Sequence, residues 1–136
     1  MSYTMRNTYS KQMSEDLKVA YRDVNRRVDI RSQQEAFELT VREPAPRFYV
    51  SAEKARCYIC PMLRGDSSRV DRLRPLRREM YHALFDVVLR LSRRREFSGR
   101  SAHYILSFAV NEPAPRFYIG EEMMRKVFRG WKRRVG

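Results

Sequence analysis

Cys57 and Cys60, Glu43 and Glu112, and the basic run from Arg125 to Arg133 are the side chains here with reactive or ligand-binding potential. The cysteines have C-x-x-C spacing, which is half of a structural zinc site or a dithiol redox pair. A zinc needs four ligands, and the only histidines, His82 and His103, are not at finger-like spacing. A redox pair wants a preceding strand and a βαβ context, which the pattern lacks. The two cysteines therefore read as thiols on a helix flank. Glu43 and Glu112 occupy equivalent places in a repeated phrase. As paired carboxylates they would suit a small metal-dependent nuclease; as separate ones they would only brace the turn after a helix. No Gly-rich phosphate loop, G-x-S-x-G elbow or H-E-x-x-H is present. The expectation is a protein without catalytic activity, cofactor or metal.

Charge points to partners. Twenty-nine Lys and Arg against sixteen Asp and Glu give a net +13, a surface that attracts polyanions such as nucleic acid or acidic membranes. Twenty-four of the cations are Arg, whose fork matches phosphate and guanine bidentately. The excess is uneven along the chain, +3 over residues 1–63 and +10 over 64–136. In EEMMRKVFRGWKRR, helical spacing puts Arg125, Lys126, Arg129, Lys132 and Arg133 on one face and an apolar stripe on the other. Arg93, Arg94 and Arg95 end a long central segment, favour its dipole there, and enlarge the basic patch together with Arg90 and Arg100.

The elements that hold these residues follow from an internal repeat. EPAPRFY occurs as Glu43 to Tyr49 and again as Glu112 to Tyr118, 69 positions on, which marks a duplication. Ser32 and Glu35 form a capping box for a helix that buries Ala36, Phe37 and Val41; in the second copy Ala102, Ile105, Leu106, Ala109 and Val110 fall at the same kind of helical spacing. The prolines stop each helix, near Arg42 and Asn111, and send the chain into extended geometry. Ser51 and Gly120 then open new helices with stripes Ala55, Tyr58, Ile59, Met62 and Met124, Val127, Phe128, Trp131. Pro61 predicts an end or kink near Cys60. Amphipathic segments precede both copies, around Met13 to Val28 and Leu76 to Arg95, with Gly65 as a C-cap and Pro75 as a helix start between them. The expectation is an all-α chain of about six helices in one domain: repeat unit 1 over about 10–64, a linker over 65–75 and repeat unit 2 over about 76–136, related by a pseudo-twofold.

Each heptad is either a structural joint, with one ring plugging the core and Arg47 paired to Glu43 or to helix carbonyls, or a rigid loop offering Arg47 and Arg116 to phosphate beside an aromatic ring. The connection of about eight residues is longer than the turn of a helix-turn-helix. The PAPRFY phrase resembles one in short, basic, uncharacterised bacterial or phage proteins. That resemblance covers the heptads and their flanking helices and implies no activity.

The functional expectation is DNA or RNA binding through the Arg/Lys-rich helical face. The alternative is an assembly or adaptor protein, of the kind found in phage or on ribosomes, that meets an acidic protein. The amino-terminal segment lacks the apolar run of a signal peptide and no stretch has bilayer-spanning length, so the expected location is the cytoplasm and no membrane partner is expected.

Overall fold

Capping chemistry sets the helix boundaries. In a computed structural model, which describes residues 2–135 and the side-chain surroundings of residues 9–132, the Ser32 hydroxyl accepts from the Glu35 N–H at 3.1 Å, and the Glu35 carboxylate accepts from the Arg31 N–H at 3.0 Å. Ser51 and Ser101 cap in the same way, accepting from Lys54 and Tyr104. The helices are α1 (Ser2–Arg27), α2 (Gln33–Val41), α3 (Ala52–Leu63), α4 (Ser68–Asp71), α5 (Pro75–Ser92), α6 (Ala102–Ala109) and α7 (Glu121–Val135), with a 3-10 turn at Arg95–Phe97. The described chain is all-helical, 69% helix with no strand. The helix beyond the expected six is α4, inside the stretch read as linker. There the Asp66 carboxylate accepts from the Ser68 N–H, and Val70 is fully buried.

Pro61 neither ends nor breaks α3, which continues to Leu63. A proline leaves the carbonyl four residues earlier without its helical donor. That carbonyl belongs to Cys57, and the Arg69 guanidinium donates to it at 3.3 Å. The helix then closes two residues later. Gly65 has φ +86°, its N–H donates to the Met62 carbonyl, and the Asp66 N–H donates to the Pro61 carbonyl. This is the paired bonding of a Schellman end, whose left-handed position suits glycine. At α5 the proline sits in the first turn, as expected of Pro75, but the helix stops at Ser92, so Arg93 is its C-cap and Arg95 begins the 3-10 turn.

The chain condenses into two folded units that do not follow the contiguous stretches 10–64 and 76–136. One contains residues 1–45 and 115–136, the other residues 46–114. Both boundaries fall between the same Ala and Pro of the heptad, Ala45–Pro46 and Ala114–Pro115. The first unit thus packs α2 against α1 and against α7, a helix from the other copy. The second packs α3 against α5 and α6, again helices from the other copy. The hydrogen bonds match the exchange: the Phe117 N–H donates to the Val41 carbonyl at the end of α2 at 3.0 Å, and the Phe48 N–H donates to the Val110 carbonyl at the end of α6 at 2.9 Å. Both rings are about 1% exposed, so each heptad phenylalanine is a core plug of a unit built largely from the other copy.

In the second unit Tyr81 is fully buried and stacks on Tyr58, with ring centroids 4.5 Å apart, while the Arg77 guanidinium lies 6.0 Å from the Tyr81 ring. The Tyr81 hydroxyl has no hydrogen-bond partner. Burial pushes its pKa up, against the opposing pull of Arg77. Two stability outcomes follow, both measurable by urea denaturation. Gly65→Ala is expected to destabilise by about 1 kcal/mol through the left-handed cap. Tyr81→Phe is expected to be neutral or to stabilise by about 1 kcal/mol, because it removes an unpaired buried hydroxyl; a clear loss would show that Arg77 depends on that oxygen.

Candidate nucleic-acid interface

The basic face of α7 depends on what its apolar face does. Glu121 and Glu122 occupy the first turn, where carboxylates favour the helix dipole. Met124 and Trp131 are buried, and Val127 and Phe128 are half-buried. Phe128 lies 5.2 Å from Phe37 of α2 and 5.5 Å from Tyr21 of α1, centroid to centroid; Trp131 lies 5.8 Å from Tyr21. The indole N–H of Trp131 donates to the Ser14 hydroxyl of α1 at 2.9 Å, satisfying the one polar atom of that ring. The apolar side of α7 is therefore occupied within its own unit.

On the remaining face Arg125, Lys126, Arg129 and Lys132 are exposed. Lys126 and Arg129 have no ion-pair partner among the described residues. Arg125 donates to the Gln34 side-chain oxygen at 2.8 Å and stands 4.0 Å from Glu121, a solvent-exposed pair of little strength. The Lys132 ammonium sits 4.8 Å from the centre of the Phe128 ring. Arg133 belongs to α7, but its side chain lies outside the described residues. Arg93, Arg94 and Arg95 are exposed and belong to the other folded unit.

The heptad arginines turn inward. Arg47 Nε donates to the Phe48 carbonyl at 2.9 Å and Arg116 Nε to the Phe117 carbonyl at 3.1 Å, so each half-buried guanidinium clamps its own turn. Arg116 also lies 5.8 Å from the Tyr118 ring. Glu43, one of the two candidate carboxylates, pairs with Arg27 of α1. Arg27 bonds Asp23 as well, and these two carboxylates, Asp23 foremost, push its pKa up. Cys57 is exposed and Cys60 half-buried, both as free thiols. Among the described residues no cluster of three or more His, Cys, Asp or Glu could hold a metal ion. No described helix is long and apolar enough to cross a membrane.

The exchange of α7 also redistributes charge. Residues 1–45 with 115–136 hold fifteen basic and nine acidic side chains, and residues 46–114 hold fourteen and seven, so the folded units carry +6 and +7 in place of the +3 and +10 of the linear halves. Sequence reasoning passed over Tyr104 and Phe108, which stand four residues apart on α6, off its buried stripe; that offset was the available signal. No protein-family model matches the chain, and neither does any curated protein or solved structure.

The docking of α7 is open to direct measurement. Trp131→Ala is expected to cost about 3–5 kcal/mol of stability, and Ser14→Ala about 1 kcal/mol, both read by chemical denaturation.

Proposed function

We propose that the protein binds DNA or RNA without catalysing a reaction on it, using the cationic face of α7 to hold phosphates. The observation that carries this reading is the division of α7: its aromatic side is held by Tyr21, Phe37 and Ser14, while Arg125, Lys126, Arg129 and Lys132 face solvent without strong neutralising acids. A membrane-surface helix of the same composition would need that aromatic side for lipid. Arg93 to Arg95 give the other unit cations of its own. Arg47 and Arg116 act chiefly as clamps of the heptads. In the same reading the two units are copies of one three-helix design with exchanged last helices, so that the duplication supplies two basic bodies.

Fluorescence anisotropy with labelled duplex and single-stranded oligonucleotides tests this. The triple substitution Arg125→Glu, Lys126→Glu, Arg129→Glu is expected to weaken binding at low salt by at least about tenfold. It is also expected to flatten the dependence of log K on log salt by about 0.9 for each duplex phosphate that the variant no longer neutralises. The helical signal and melting of the variant should match the parent, because these side chains are exposed. Absence of binding to every nucleic acid at low salt abandons the reading, and leaves an assembly protein that meets an acidic partner. Metal-dependent cleavage abolished by changing Glu43 and Glu112 overturns its non-catalytic part.

A further inference from the structure

We infer that the 3-10 turn and α6 of the second folded unit form a base-stacking surface for single-stranded nucleic acid. The inference rests on the nucleic-acid reading above and adds the strand state and a second, aromatic site. Tyr104 and Phe108 are 39% and 47% exposed, unusual for rings of this size, and their centroids are 5.2 Å apart. Phe97 lies beneath them, buried, 6.1 Å from Tyr104 and 5.3 Å from Phe108, and holds the pair in place. The Arg100 guanidinium sits 4.9 Å from the centre of the Tyr104 ring. Arg93 and Arg94 immediately precede the turn and Arg95 opens it, all three exposed, and Glu96 is the only acid between Arg93 and Asn111.

These rings lie off the buried stripe of α6. α6 buries Ile105, Leu106 and Ala109 on its other side. The equivalent positions in the first copy are Glu35 and Leu39, where the Glu35 carboxylate accepts from the Arg31 N–H just ahead of α2. The second copy has given up that carboxylate and carries two aromatic faces in a cationic setting. Unpaired bases stack on exposed rings without regard to sequence, while arginines track the phosphates. Duplex DNA hides its base faces, so the rings discriminate strand state.

The test compares a labelled oligo-dT strand with a duplex of equal length, by anisotropy, for the full chain. Tyr104→Leu with Phe108→Leu keeps the apolar bulk and removes the π faces. It is expected to weaken single-strand binding about tenfold or more while duplex affinity stays within about twofold. Tyr104→Trp with Phe108→Trp is expected to retain single-strand affinity, which guards against a folding artefact. Equal weakening on both substrates, or none on the strand, overturns the stacking surface alone and leaves the α7 reading standing. No binding to either substrate overturns both. Sedimentation that finds a dimer abolished by the leucine pair, with strand binding unchanged, overturns the inference in favour of self-association.

Discussion

Two backbone hydrogen bonds, Phe117 N–H to the Val41 carbonyl and Phe48 N–H to the Val110 carbonyl, anchor everything else in this chain. Each joins the heptad of one copy to the end of a helix from the other, and each places a phenylalanine ring in the core beside it. A buried amide without a partner costs about as much as a broken hydrogen bond, so the bond and the ring act together. The heptad arginines clamp the carbonyl of the same phenylalanine. The seven residues are repeated because one joint is used twice.

From that joint the cationic surface follows. With α7 drawn onto α1 and α2, its aromatic stripe meets Tyr21 and Phe37 and its cations are left outward. The same exchange moves charge between the units, so that neither is the basic half and both carry a comparable excess. Arg27 gathers Asp23 and Glu43 at the far end of α1, which consumes a carboxylate that could otherwise have been taken for a catalytic group. The second unit carries its arginines next to exposed rings, and the first carries them along a helix face. One repeated joint thus supports two different cationic surfaces.

Local signals read well. Ser32 and Ser51 cap the helices that follow them, Gly65 and Pro75 end and start helices, and the stripes around Ile59, Leu84, Leu106 and Met124 are buried. Each depends on a few neighbouring residues and elementary geometry. Pro61 read less well, because the missing donor is replaced by Arg69, twelve residues away from Cys57. Val70 likewise turns the stretch read as linker into α4 by finding a core to enter. The basic face of α7 was legible from spacing, whereas the inward turn of Arg47 and Arg116 was not, since it depends on the path of the heptad backbone.

The amino-acid sequence by itself determined that this protein is helical, duplicated and strongly cationic, because periodicity, caps and charge are properties of short segments. Only the tertiary structure decided which copy's helix each stripe meets. Two identical heptads between similar stripes make packing within a copy and packing across copies locally indistinguishable, and the choice rests on side chains far apart in the chain meeting one another. It also decided how far each aromatic ring is covered: Tyr104 and Phe108 are left 39% and 47% exposed.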